Sequence, residues 1–188
     1  LCGYGGLVIL ATEAQAALMT RLVGIFGHPL SHSLSPAIQQ AAFDYHKIDA
    51  LYQAWPTSPE ELTSEVAKLR GKLYLGANVT IPHKVKVMQQ LDSIDKLAME
   101  IGAVNTIVKE NRTLVGYNTD AYGFIKSLKE GSGIDPSSKR ALLLGAGGAA
   151  RAAAYALAQE GVARITIANR TLNRAVSLGD EIRLIISD

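Results

Sequence analysis

The sequence predicts an α/β protein of two consecutive units, a larger one with a mixed sheet and a smaller one with parallel strands. Three observations carry this expectation. Short apolar runs alternate with helical patterns from Leu22 to Leu128, the alternation is broken once by a polar turn between two strand-like runs, and the apolar run 141–144 passes directly into a glycine-rich turn and an alanine-rich helical stretch. The 188 residues give room for one large domain or two modest ones. With 48% hydrophobic and 19% charged residues the chain can bury a core, which excludes a disordered or collagen-like chain.

Each element has a local reason. Residues 1–20 are set aside as a leader, a cloning remnant or an irregular extension; their longest apolar run, 7–11, is far short of the ~20 residues a membrane span needs. The run 22–26 reads as a strand ending at Gly27, and Ser35-Pro36 offers an N-cap with proline at the first helical position. Ile38, Ala41, Ala42 and Tyr45 then mark an apolar helical face. Residues 51–55 form the next strand, Ser58-Pro59-Glu60-Glu61 is a capping box, and Leu62, Val66 and Leu69 line a second helix. A third strand, 73–79, leaves through Thr80-Ile81-Pro82 into a helix over 85–91. Residues 104–108 and 114–117 flank Glu110-Asn111-Arg112, which predicts an antiparallel hairpin and therefore a mixed sheet. The helical pattern of Phe124, Ile125 and Leu128 ends in a cluster of Gly131, Gly133, Asp135, Pro136, Ser137 and Ser138, the clearest internal boundary. The second unit, 131–188, then reads β-α-β with buried strands at 141–144 and 164–168. Residues 176–188 allow one short helix with room for a strand, so two βα steps make an incomplete Rossmann-like domain.

The glycine turn is the first chemical signal. Gly145-Ala146-Gly147-Gly148-Ala149-Ala150 lacks the third glycine of GxGxxG, but Ala150 still permits close helix packing, while Gly145 and Gly147 allow a tight turn and close approach of a pyrophosphate. An ordinary tight βα turn is the alternative. No acidic residue ends the second strand to hold a ribose hydroxyl. The chain reads Asn169-Arg170-Thr171-Leu172-Asn173-Arg174, whose guanidinium groups and hydroxyl suit a 2′-phosphate, so NADP is the expected cofactor.

Three polar clusters sit at predicted strand ends, where ligands of open α/β sheets collect. Ser33 and Ser35 offer hydroxyls to a carboxylate near a helix N-terminus, or serve only as loop and cap residues. Asn78 to Lys84 places an amide, the Thr80 hydroxyl and an ammonium on a short turn, and Lys84 is the side chain able to move the proton that accompanies hydride transfer. Gly116-Tyr117-Asn118-Thr119-Asp120, with Asn105-Thr106 on the preceding hairpin arm, forms the third cluster; Asp120 either caps the following helix or pairs with Lys84. His28, His32, His46 and His83 show no metal-like spacing, so no metal is expected. A net charge of +2, from 19 basic and 17 acidic side chains, makes no face for nucleic acid, and the lone Cys2 suits a reducing, cytoplasmic setting. The expected partner is a small molecule, with no nucleic acid and no membrane; a homodimer is left open.

Taken in order, GHPLSHSLSP, NVTIPHK, GAVNT, GYNTD, GAGGAA and NRT resemble the shikimate dehydrogenases over about residues 21–178. That resemblance implies a substrate domain at 21–130 and an NADP-binding domain at 131–188, separated by a cleft, and NADPH-dependent reduction of 3-dehydroshikimate to shikimate in aromatic amino-acid biosynthesis. It implies that Ser33 and Ser35 bind the substrate carboxylate, that Thr80, Asn105 and Asp120 hold the ring hydroxyls with support from Asn78, and that Lys84 is the acid/base residue paired with Asp120. Gly145, Ala146, Gly147, Gly148 and Ala149 would cradle the pyrophosphate, and Asn169, Arg170, Thr171 and Arg174 the adenosine ribose and its 2′-phosphate. Because family members continue into further strands and a final helix, the residues are expected to belong to a longer polypeptide. The alternatives are a quinate/shikimate dehydrogenase and a non-catalytic ligand-binding relative.

Overall fold

A computed structural model describes residues 20–187, so the expectation for the N-terminal extension lies outside the described residues, Thr20 apart. The first unit is a six-stranded sheet in the order β2-β1-β3-β5-β6-β4. Its strands are β1 (Arg21–Gly27), β2 (Ala50–Pro56), β3 (Tyr74–Val79), β4 (Ser93–Ile94), β5 (Thr106–Glu110) and β6 (Thr113–Tyr117). β1 runs parallel to β2 and β3, while β5 is antiparallel to both β3 and β6, so the sheet is mixed as expected.

Alternation along β1 sorts the layers. Phe26 enters a core with Leu62, Val66 and Leu69 of helix α2 (Leu62–Lys68) and its C-terminal end, whereas Ile25 packs on the other face with Leu30, Tyr52 and Phe43 of helix α1 (Ser35–Tyr45). A Cβ at Gly24 would lie 2.6 Å from the Trp55 ring, so the glycine makes room for the indole over the α2 face.

Several details depart from the sequence reading. The anticipated apolar face of α1 is exposed: Ile38 and Tyr45 are 62% and 82% accessible. Instead Gln40 docks on the outer edge of β2, its amide donating to Ala50 O (3.3 Å) and accepting from Tyr52 N (2.9 Å), which satisfies backbone groups an edge strand leaves unpaired. Helix α1 starts at Ser35 rather than after it, and the hydroxyl that receives a backbone N–H is Ser33 Oγ, from Ser35 N at 3.3 Å. The capping box is half made: Ser58 N donates to Glu61 Oε2 (3.0 Å), and the helix begins only at Leu62. In place of a helix over 85–91 there is a single 3-10 turn, Lys86–Gln90, because only Val87 of this stretch is fully buried. β4 and the short helix α3 (Lys96–Ile101) were not anticipated. Asp95 caps α3 by accepting from Leu97 N (3.0 Å), and Gly102 ends it at φ +69°.

Helix α4 (Asp120–Lys126) runs through a π turn at Ser127–Gly131, and residues 132–139 lead to the second unit. There β7 (Arg140–Leu144) and β8 (Arg164–Ala168) pair in parallel, flanked by α5 (Gly148–Gln159) and α6 (Leu172–Ser187). The tail is thus one long helix rather than a short helix and a strand. Nor are these strands buried on both faces. Leu143, Ile165 and Ile167 turn toward the helices, while Leu142 and Leu144 on the opposite face are exposed.

A shared core joins the units. Ile101, Ala103 and Ala121 of the first pack with Ala152, Tyr155, Leu178 and Ile182 of the second. Tyr155 Oη donates to Glu100 Oε2 (2.6 Å), and Arg151 Nε donates to Ile101 O (3.0 Å).

Candidate active site

The loop leaving β3 is fixed at three points. His83 is fully buried with Nε2 2.7 Å from Thr57 O, Thr80 N donates to Phe26 O (2.8 Å), and Val104 N donates to Lys84 O (2.8 Å). The backbone of Lys84 therefore has little freedom, and its ammonium reaches Asp120 Oδ2 at 2.6 Å, with the lysine side chain 13% and the aspartate 28% exposed.

Asp120 is available because its neighbour does the capping. Asn118 Oδ1 accepts from Asp120 N (2.9 Å) and Ala121 N (3.3 Å), and Asn118 Nδ2 donates to Ala103 O (2.9 Å), which rigidly seats the start of α4. Both carboxylate oxygens of Asp120 are thus free for side chains: Oδ2 takes Lys84, and Oδ1 accepts from Asn105 Nδ2 (2.8 Å).

Asn105 in turn is held on its carbonyl side by Thr119 N (2.9 Å) and Thr106 Oγ1 (3.0 Å). Thr106 accepts from Asn78 Nδ2 (3.2 Å), and Asn78 Oδ1 accepts from the Tyr52 hydroxyl (2.7 Å). Burial pushes the Tyr52 phenol up to about 12, so it remains a donor throughout the neutral range. The network crosses the sheet from β2 to α4, and a fixed network of this kind holds the Lys84–Asp120 pair in one orientation.

Ser33 and Ser35 stand at the start of α1, beyond the end of β1, and Thr80 at the exit of β3. His28 N donates to Ile81 O (2.9 Å), tying these two loops together. Among the described residues no hydrogen bond joins either serine to the Lys84–Asp120 cluster.

Facing Lys84 is a cavity of about 600 Å³ between the units. On one side lie Ile81, Pro82 and residues 84–86; on the other lie residues 146–149 of the glycine turn, Arg151, Asn173, Arg174 and Ser177. The glycines have distinct tasks. Gly145 adopts φ +122°, a conformation that favours glycine, and its N–H donates to Ala168 O (2.7 Å). A Cβ at Gly147 would meet nothing within 4 Å, leaving open space at the N-terminus of α5. A Cβ at Gly148 would lie 2.6 Å from Lys84 Cβ, so this glycine admits the lysine stem. An open, cation-lined cradle at a helix N-terminus fits a dinucleotide phosphate.

Residues 25–107 match the shikimate dehydrogenase substrate binding domain, and residues 128–186 match the shikimate/quinate 5-dehydrogenase family. Together the two matches span more than half of the chain. The chain belongs to the shikimate dehydrogenase family. A shikimate dehydrogenase (NADP(+)) of Moorella thermoacetica is 49% identical over 164 residues, covering 87% of this chain and 55% of that protein. Shikimate 5-dehydrogenase of Thermus thermophilus, solved in complex with NADP(H) and shikimate, superposes with a TM-score of 0.78 at 40% identity, over 87% of this chain and 61% of the other. The ligand-free 5-ketofructose reductase of a Gluconobacter species superposes with 0.75 at 37% identity, over 88% and 59%. The chain thus spans about 55–61% of the length of these relatives.

Within this member of the shikimate dehydrogenase family, the residues singled out from sequence, apart from Ser33, Ser35, Thr80 and Gly145 described above, divide into three groups. Asn78, Lys84, Asn105 and Asp120 form one hydrogen-bonded network. Ala146, Gly147, Gly148, Ala149 and Arg174 share the cavity with Lys84. Asn169, Arg170 and Thr171 lie outside its lining and shape the turn before α6, where Asn169 Nδ2 (2.7 Å) and Arg174 N (3.1 Å) both donate to Thr171 O. Sequence reasoning passed over Tyr52, which anchors the network, and Arg151, which bonds Ile101 O and pairs with Glu181. Thr106, Asn118 and Thr119 were legible as members of the third polar cluster, but not their tasks of connecting and seating the network.

Proposed function

We propose that this chain carries the substrate-binding part, residues 21–130, and a cofactor-binding part, residues 131–188, of an NADPH-dependent shikimate dehydrogenase that reduces 3-dehydroshikimate to shikimate. The observation that carries the reading is the Lys84–Asp120 pair at 2.6 Å, braced by Asn105 and opening on a cavity that the glycine turn also lines. NADPH, when bound, supplies the hydride that reduces the substrate carbonyl. The rest is the task of the chain.

Lys84 Nζ donates a proton to the carbonyl oxygen as charge develops there, and Asp120 fixes its direction. Asn78, whose Oδ1 keeps a lone pair beyond its bond to Tyr52, accepts from a ring hydroxyl with Thr80 beside it, and Asn105 reaches a hydroxyl by exchanging one of its bonds to Thr119 or Asp120. Ser33 and Ser35 receive the substrate carboxylate at the α1 N-terminus, which favours negative charge. Gly145, Gly147 and Ala149 leave room for the pyrophosphate, while Arg174, with Asn169, Arg170 and Thr171 on the same turn, receives the 2′-phosphate. The setting is cytoplasmic, in keeping with a lone cysteine; among the described residues no helix is long and apolar enough to cross a membrane.

The test is NADP-dependent oxidation of shikimate followed by absorbance, with quinate and a ketose in parallel because a ketofructose reductase shares the fold. Turnover of shikimate that far exceeds the other two supports the proposal. Preference for quinate or the ketose would reassign the substrate, and shikimate binding without turnover would favour a non-catalytic relative.

A further inference from the structure

Four cationic side chains line the cavity between the units, Lys84 and Lys86 from the first and Arg151 and Arg174 from the second, and no carboxylate lines it among the described residues. Two of the four are already matched, Lys84 by Asp120 and Arg151 by Glu181. Lys86 and Arg174 have no ion-pair partner among the described residues, yet they face the same space from opposite units. Like charges placed so repel each other, and an anion between them turns that repulsion into attraction from both sides.

Lys86 plays no part in the network around Asp120. It opens the 3-10 turn two residues after Lys84, whose stem packs closely against Gly148, and its exposed side chain lines the first unit's side of the cavity, across from the glycine turn. Its flexible stem and compact charge suit reaching a phosphate across a gap.

We infer that Lys86 is a phosphate ligand supplied by the first unit, closing on the bound dinucleotide opposite Arg174. The inference rests on the dinucleotide reading given above. It makes the grip on the cofactor bipartite: a phosphate held by both units ties them together across the cavity. Two phosphates could be the one held, the 2′-phosphate or the pyrophosphate, and comparing NADPH with NADH separates them.

The experiment is a fluorescence titration of this chain with NADPH and with NADH, repeated over a range of salt concentrations, using the unaltered protein, Lys86→Gln, Lys86→Arg and, as a control for lost surface charge, Lys96→Gln. The expected result is that Lys86→Gln weakens NADPH binding about fivefold and flattens its salt dependence, that Lys86→Arg restores most of the affinity, and that Lys96→Gln changes nothing. A loss confined to NADPH assigns the 2′-phosphate, and an equal loss for NADH assigns the pyrophosphate. Unchanged affinity of Lys86→Gln for both dinucleotides at low salt overturns the inference while leaving the cofactor reading intact. Failure of the unaltered protein to bind either dinucleotide sinks the cofactor reading, and this inference with it.

Discussion

The two units bury themselves in different ways. The larger core, with Leu69, Val87, Val104 and Leu114 fully buried, is drawn wholly from the first unit and closed by its own strands, α2 and the 3-10 turn. In the second unit the buried residues of α5 are mostly alanines, the strands expose one face, and the cluster is completed by Ile101, Ala103 and Ala121 of the first. The Lys84–Asp120 pair is therefore fixed by one self-contained body, whereas the glycine turn is positioned by docking onto it. Chemistry and cofactor geometry should then respond to different substitutions.

The sharpest separation comes from Lys84→Ala. Turnover should fall by about 10²–10⁴, the usual weight of a positioned acid/base, with NADPH affinity nearly unchanged. Steady-state NADPH oxidation and a binding titration read the two effects, and a parallel loss of affinity would break the distinction between the units.

Core truncations come next. Leu69→Ala and Ile101→Ala should each cost about 2–5 kcal/mol in urea unfolding, as for other large-to-small core changes. Only the second should loosen residues 140–187 first, seen as early hydrogen exchange or proteolysis there. Identical protection maps would mean that the shared core is no weaker than the closed one.

A smaller effect is expected at the contact between the bodies. Gly148→Ala puts a methyl 2.6 Å from Lys84 Cβ and should cost about 1–3 kcal/mol by overpacking, lowering kcat more than NADPH affinity. Gly147→Ala, with open space around it, should spare stability and weaken NADPH binding instead.

The mildest test lies inside the first unit. Arg70 grips both oxygens of Asp92 at 2.7 and 2.9 Å and Leu114 N donates to it at 2.7 Å; the guanidinium first, then the backbone N–H, holds the Asp92 carboxyl below its ordinary range. A depressed value in the folded state stabilises the protein above the ordinary carboxylate range, and that contribution is lost as pH falls through the depressed value. Asp92→Asn should therefore be less stable than the parent at neutral pH, and the gap should close only in strong acid. A gap that persists there would remove the ionic part of the explanation.

Much of this arrangement was legible in the residues. Periodicity revealed β1 to β3, and the polar turn at Asn111 revealed the hairpin, because those signals are local. The pairing of Lys84 with Asp120 was legible as chemistry, but what frees the aspartate was not. Asn118 and Asp120 are both cap-type residues, and only the fold decides which one caps. The face of α1 was misread because one glutamine satisfying an edge strand outweighed four apolar residues. A two-residue strand such as β4 has no period to detect, although Asp95 and Gly102 framed α3 openly. Exposure of Leu142 and Leu144 depends on what covers a sheet, which strand composition does not encode.

The β5–β6 hairpin has a consequence for how the site tolerates change. Thr106 pairs with Tyr117, so the residues just outside the open end of the hairpin, Asn105 and Asn118 to Asp120, emerge together, while the last pair before the turn, Glu110 with Thr113, lies roughly 13 Å further along the ladder at ~3.3 Å per residue. A helical crossover would deliver one arm per pass; the hairpin delivers two from adjacent strands, and their spacing is set by the ladder rather than by the turn. Lengthening or shortening the loop at Asn111 leaves that spacing untouched, which gives the fold a place to vary its surface without moving its chemistry.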